Sequence, residues 1–498
     1  MERFGIETEV VDQAVLKRAA RHLGEAGIVL PTFAQLADPA LIPPRIREAL
    51  LAIDPDAPHP LNLFRVHWFN AQNRRSFTSV PQHVVLPSSL TGVQAPIVVA
   101  LGDRFPMIGA HKVLAAYGCL VPRLVTGRFD PVAQRALWPS TGNYCRGGVA
   151  ISRILGCRGV AILPAEMSEE RFRWLGHWVT EPGDIVKTPG SESNVKEIYD
   201  RCAELSRDPA NVILNQFSQF ENHLVHELCT GRAMARIFEA ERETHARWRL
   251  FGFVSATGSA GTIAAGDHLK QRYGSKTIAV EPVECPTLLE NGFGAHNIQG
   301  IGDKHVPLIH NVMSTDVITA VSDRATDALA VLFDHPAGLA YLRDRRGVPD
   351  ALLALLGSFG LSSICNVLAA IKTARAFKLG PDDALLTVAT DGASLYRSEI
   401  DRVLAERFAG GFDERRAAEV FAEHLASVGV DHLAELSHED RRRVFNLGYF
   451  TWVEQQGVSL PDFEVRRDPS FWTGLREALP RWDERIDAFN RLASGDEP

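Results

Sequence analysis

The chain has little that would bridge, anchor or target it. Its seven cysteines, Cys119, Cys145, Cys157, Cys202, Cys229, Cys285 and Cys365, are odd in number and widely spaced, with no C-x-x-C pair. That excludes a disulfide framework and predicts free thiols in a reducing, cytoplasmic setting. There is no basic block, zinc-finger spacing or aromatic–basic stripe, and the net charge is −8. Nucleic acid is therefore not an expected partner. The opening MERFGIETEV has no basic segment followed by an apolar run, so a secretory signal is not expected. The one stretch of membrane-spanning length without charge, Ala351 to Ile371, is interrupted by Gly357, Ser358, Gly360, Ser362, Ser363 and Asn366. It predicts a buried helix, a tight turn and the start of a second helix rather than a membrane span.

What is present is ordinary globular composition, 45% hydrophobic and 23% charged over 498 residues. A chain of this length predicts two to four domains, at roughly 100–200 residues each. Residues 1–85 contain the helical pattern VVDQAVLKRAARHLGEAG, ending at Gly27, and then a proline-punctuated irregular stretch. From 86 to 400, short β-branched runs alternate with helical ones: APIVVAL, GVAILPA, NVILNQF, LFGFVSATG, TIAVEP and LLTVATDG. That alternation predicts parallel α/β architecture. Residues 401–498 read as helical again, with Ser437 as an N-cap, Asp440 at the capping-box position, and Trp452, Trp472 and Trp482 available for packing.

Three short segments can carry chemistry. Ser255-Ala-Thr-Gly-Ser-Ala-Gly-Thr262 follows an apolar strand and opens a helical pattern. Its small residues allow backbone N–H groups to approach a phosphate, with the helix dipole in support, although a plain strand–helix turn needs the same residues. Ser140-Thr-Gly-Asn143 precedes a helical run and is either a cap or an anion cradle. Lys112, between Gly109-Ala-His111 and Val-Leu-Ala-Ala, is oddly placed for a solvated charge. A desolvated lysine suits Schiff-base chemistry; a snorkelling lysine at a helix end is the alternative.

In order along the chain, FPMIGAHKV, PSTGNYCRGGVAIS, LPAEMSEERFRWL, VILNQF, GSAGT, VEPVECPTL with HNIQGIG, and GLSSICNVLAAIK resemble motifs of one family. This is the cysteine synthase and cystathionine β-synthase group of fold type II pyridoxal-phosphate enzymes; Gly-Ala-His-Lys is also similar to the tryptophan synthase β form. The resemblance covers about residues 86–400. It implies two open parallel-sheet α/β domains of the tryptophan synthase β-like kind, with a smaller subdomain at about 106–225, helical N- and C-terminal extensions and a homodimer.

The resemblance also implies pyridoxal 5′-phosphate as cofactor and a small amino acid as substrate. Lys112 would carry the cofactor and act as catalytic base. Asn143 would meet its 3′ oxygen, and Gly258, Ser259, Ala260, Gly261 and Thr262 its phosphate. Ser362 would face the pyridine nitrogen, and Ser140, Thr141 and Gln216 would bind the substrate carboxylate. The implied reaction is β-replacement or β-elimination through an aminoacrylate intermediate. The rivals are a serine/threonine dehydratase- or cysteine desulfhydrase-type lyase and, in another class, a non-catalytic cofactor-binding scaffold. A neutral serine at the ring nitrogen favours loss of a β-substituent over transamination. The chain departs from the family after Asn143, where Tyr144-Cys145 replaces Thr-Gly and Arg146 follows. Arg146 either pairs with a second anionic group on substrate or nucleophile or is an ordinary arginine early in a helix.

Overall fold

The computed structural model describes residues 4–495. Its strands are β1 (His83–Leu86), β2 (Ile97–Leu101), β3 (Arg135–Pro139), β4 (Arg158–Pro164), β5 (Ile185–Thr188), β6 (Asn211–Ile213), β7 (Arg249–Ala256), β8 (Lys276–Pro282), β9 (Val317–Val321), β10 (Asp383–Ala389) and β11 (Leu433–Glu435). They form two sheets: a seven-stranded one in the order β1-β2-β10-β7-β8-β9-β11 and a four-stranded one in the order β5-β4-β3-β6. The smaller sheet is parallel throughout. In the larger, β2, β10, β7, β8 and β9 run parallel, and β1 and β11 close the two edges antiparallel.

The parallel strands explain the sequence pattern. Val98, Val99, Leu385, Leu386, Val254, Ile278 and Val280 are all buried, because helices cover both faces of such a sheet. Each predicted β-branched run forms a strand. The strands β1, β3, β5, β9 and β11 lie outside those runs. Strand β11 also shows that the C-terminal extension, expected to be helical, adds a short edge strand, pairing Leu433 with Thr319. The uncharged stretch becomes a single turn (Asp350–Leu353), a 3₁₀ turn and the buried helix Leu361–Ala376. Among the described residues no helix is long and apolar enough to cross a membrane.

The two terminal extensions pack on each other and on one core helix. Asp12 caps the helix Gln13–Glu25 by accepting from the amides of Ala14 and Val15. That helix packs along the last one, Ala478–Ser494. The Trp482 indole N–H donates to the Glu7 carbonyl at 2.7 Å. The Asp483 carboxylate accepts from the amides of Phe33 and Ala34, at 2.6 and 3.0 Å. Asn490 exchanges two hydrogen bonds with Leu30, both 2.9 Å. Tyr117, on the helix Lys112–Val125, donates to the carbonyl of Pro31. The extensions thus brace the helix whose first residue is Lys112. The Ser437–Asp440 capping box forms as the sequence predicts.

Trp482 is fully buried and packs on Phe33 with ring centroids 5.9 Å apart. Trp482→Ala should therefore cost about 3–5 kcal/mol, the range for truncating a large core aromatic. Urea denaturation at neutral pH measures this; a loss under about 1 kcal/mol would show that the extensions do not brace the core.

Candidate active site

Nearly every candidate residue lies just beyond the C-terminal end of a parallel strand, where open α/β sheets place their ligands. Ser140–Asn143 follows β3, Gln216 follows β6, Gly258–Thr262 follows β7, and Lys112 opens the helix reached from β2. Lys112 and the strand ends of the larger sheet share a pocket, lined also by Ser255, the Gly258–Thr262 turn, Gly300, Asn366 and Thr390; Ser140, Thr141, Asn143, Gln216 and Ser362 do not line it.

Lys112 donates from Nζ to the carbonyl of Gly300 at 3.3 Å. Burial lowers its pKa, and Glu192, Asp303 and Asp391 oppose that effect in descending order. An amine held this way is partly neutral at a pH where a surface lysine is fully charged. The neighbouring His111 is stacked on Trp68 at 5.1 Å and shares a 2.8 Å hydrogen bond with the Thr262 hydroxyl. Burial pushes its pKa down to about 3, so it is a neutral packing group that also fixes one side of the turn.

The Gly258–Thr262 turn is closely packed. A Cβ on Gly258 would lie 2.7 Å from the Gly300 carbonyl oxygen, and one on Gly261 would lie 2.2 Å from the Asn222 side-chain oxygen. Asn222 in turn donates to the Ser259 hydroxyl at 3.1 Å. Ala260 adopts a left-handed φ of +62° where the family resemblance has glycine. A backbone cradle of this kind, opening a helix, fits the phosphate of pyridoxal phosphate. Ala260→Gly should relieve the left-handed strain and, after glycine's own entropic cost, stabilise the protein by up to about 1 kcal/mol in urea unfolding.

Asn143 begins the helix Asn143–Ile154. Its amide nitrogen donates to Asp391 at 2.6 Å, and its oxygen accepts from Arg146 at 3.0 Å. Arg146 also donates to the Ile108 carbonyl at 3.1 Å and lies 4.7 Å from the Trp174 ring centroid. Both of its terminal nitrogens are therefore spent inside the protein, on orienting Asn143 and holding the chain before Lys112. Arg146 Nε makes no hydrogen bond; Arg171 likewise has two atoms without a partner, its Nε and Nη1. Arg171 packs so tightly behind the Ser140–Asn143 loop that a Cβ on Gly142 would lie 2.6 Å from its Nε. Ser140 stabilises that loop by accepting from the Gly142 amide at 3.0 Å. Gln216 is buried with its side-chain oxygen unpartnered. Ser362 is buried in the first turn of the helix Leu361–Ala376. One turn later, Asn366 lines the pocket and links the ends of β7 and β10 through the Ala256 amide at 2.7 Å and the Val388 carbonyl at 2.9 Å.

Asp391, Tyr396, Arg171, Glu192 and Asp303 escaped the sequence reading. The Asp391 carboxylate receives Asn143 and the Tyr396 hydroxyl, the latter at 2.9 Å, with Arg171 3.9 Å away. Tyr396 also accepts from Arg171 at 2.9 Å. The only signal in the sequence was Asp391 at the end of LLTVATDG, the strand-end position where the other site residues cluster. Arg171 and Asp391 are both fully buried. Asp391→Ala would leave the guanidinium without its counter-charge, which should cost about 3–5 kcal/mol in urea unfolding. A loss below about 1 kcal/mol would mean Arg171 is neutralised elsewhere.

No protein-family model matches the chain. Among individual proteins, a cysteine synthase of Staphylococcus aureus is 27% identical over 262 residues, 52% of this chain and 74% of that protein. An O-acetylserine-dependent cystathionine β-synthase from Helicobacter pylori superposes with a TM-score of 0.52 at 20% identity, over 64% of this chain and 94% of that one. A variant of a hydrogen sulfide-producing enzyme from Fusobacterium nucleatum, in complex with an α-aminoacrylate intermediate, superposes with a TM-score of 0.52 at 19% identity, over 70% and 92%. The architecture is thus that of the fold type II enzymes. The resemblance to the cysteine synthase group that the motifs carry holds in both sequence and fold.

Proposed function

We propose that the protein is a pyridoxal-phosphate-dependent enzyme that replaces or eliminates the β-substituent of a small amino acid. The observation that carries this reading is the position of Lys112. Its desolvated amine faces a pocket that it shares with the Gly258–Thr262 cradle and the ends of β7 and β10. The cradle would hold the cofactor's phosphate through backbone amides, and Ser362 would face the ring nitrogen without charging it. Asn143, aligned by Arg146 and Asp391, would meet the 3′ oxygen. The Ser140–Asn143 loop and Gln216 would take the substrate carboxylate. When bound to a substrate's amino group, pyridoxal phosphate draws electrons from Cα, acidifying the α-proton and letting a β-substituent leave.

The chain's own residues then have defined tasks. Lys112, released when substrate takes its place, accepts the α-proton, and burial, which lowers its pKa, favours the neutral amine that can do so. Burial of Ser140, Thr141, Asn143 and Gln216 excludes water from the reacting carbon. The seven free, buried cysteines support a reducing compartment, and a homodimer accompanies this reading as part of the proposal.

Borohydride reduction of the loaded protein, followed by peptide mapping, should place the cofactor on Lys112, and Lys112→Ala should abolish turnover of β-substituted amino acids. Because the neutral amine is the reactive form and burial lowers the Lys112 pKa, cofactor uptake by the emptied protein should reach half its maximal rate below pH 10.5, the ordinary lysine value. A label on another lysine would overturn the assignment.

A further inference from the structure

Two buried carboxyls near Lys112, Glu192 and Asp303, oppose the fall in its pKa and have no other task in this chemistry. Glu192 follows β5 of the smaller sheet and is 1% exposed; Asp303 follows β8 of the larger sheet and is 6% exposed. Neither oxygen of Glu192 makes a hydrogen bond of good geometry, although the Thr141 hydroxyl and the Gly300 amide lie near enough to favour its ionised form, and Oδ2 of Asp303 has no partner. The backbone around them is well fixed: Ser193 donates to the Gly294 carbonyl at 2.8 Å, and Thr287 to the Asp303 carbonyl at 2.9 Å. Among the described residues Lys112 makes no ion pair with either; its nitrogen turns to Gly300 instead. Three buried acceptor oxygens without well-placed donors are costly to hold, by several kcal/mol if the groups are ionised.

We infer that Glu192 and Asp303 form a subsite for an ammonium group, so that the β-substituent or the incoming nucleophile of this enzyme is an amine; as a nucleophile it first passes one ammonium proton to a carboxylate of the pair and attacks as the neutral amine. This rests on the reading of Lys112 as the cofactor lysine. An ammonium offers three N–H donors and a positive charge to these three oxygens. An anionic partner such as hydrosulfide or a phosphate would meet two carboxyls with no donor to give. The subsite adjoins the substrate-carboxylate loop, since Thr141 faces Glu192. The other charged or titratable groups bearing on the pair are Lys112, Arg171, Asp391 and Tyr396. Of these cations, Arg171 is already engaged by Tyr396 and Asp391, and the Lys112 nitrogen turns to the Gly300 carbonyl.

The electrostatics give the subsite a signature. Burial raises the Glu192 carboxyl to about 7, partly offset by Arg171, and raises Asp303 well above the usual carboxylate range. The empty pair therefore holds at least one proton near neutral pH, and an arriving ammonium displaces it. Ammonium binding should release protons and should tighten as pH rises.

The test compares L-2,4-diaminobutyrate with L-homoserine on the holoenzyme at pH 7; the two differ in an ammonium against a hydroxyl. Dissociation constants come from the cofactor absorbance. Proton release comes from calorimetry in two buffers of different ionisation heat. The diaminobutyrate should bind roughly tenfold or more tightly than homoserine, the worth of one charge-assisted hydrogen bond, with proton release. Glu192→Gln and Asp303→Asn should bring that ratio towards one. Equal binding by the wild type, no proton release, or a preference that survives both substitutions would overturn the inference. If a variant does not fold, the wild-type ratio and proton count decide alone. Failure of both ligands together with borohydride labelling away from Lys112 would instead sink the reading of the site itself. Homoserine binding with no advantage for diaminobutyrate would sink only the amine subsite.

Discussion

The site depends on how the Asp391 carboxylate is held. It stands at the end of β10 in the larger sheet, yet its partners Asn143 and Arg171 come from loops of the smaller one. The Asp391 carbonyl meanwhile accepts from the Gly360 amide at 2.9 Å and the Ser363 hydroxyl at 3.3 Å, at the start of the helix that carries Ser362. One residue thus joins the carboxylate-binding loop, the ring-nitrogen end and the main sheet. A buried charge is tolerated only when paired and hydrogen-bonded. The arrangement therefore specifies a relative position of the two sheets as well as their cohesion.

Lys112 experiences the consequence. Three carboxyls pull its proton on while burial pushes it off, and burial dominates. A lysine fully exposed to water would already carry its proton and could not accept one from carbon; one buried without carboxyls nearby would be a poor holder of positive charge. The surroundings set an intermediate condition, as catalytic lysines require. His111 contributes differently: its stack on Trp68 and its bond to Thr262 fix the start of the lysine helix against the phosphate turn.

Much of this was legible in the sequence, for physical reasons. Parallel strands buried on both faces show as β-branched runs, and turns that approach a phosphate need small residues, so APIVVAL, LFGFVSATG and GSAGT stood out. Strands such as β5, four residues long, and β11, in a helical context, carry too little local pattern to be read. The polar partners were hidden because they act at a distance in sequence. Asp391 lies 248 residues from Asn143, and nothing near either one signals the bond. Arg146 shows the same limit. A guanidinium next to a substrate loop is a reasonable ligand for an anion, yet its two terminal nitrogens go to Asn143 and Ile108.

The terminal extensions gain a meaning from the same geometry. They do not supply a side chain to the pocket, but they clamp the helix Lys112–Val125 along its length, through Tyr117 and the Trp482 cluster. A helix displaced by a fraction of a turn at its far end would carry its first residue with it. Misplacement of about 1 Å can cost two orders of magnitude in rate. On this view the extensions act on the pocket indirectly, in part by fixing the direction in which Lys112 enters it. Their packing therefore bears on the chemistry even though none of their atoms reaches the reacting carbon.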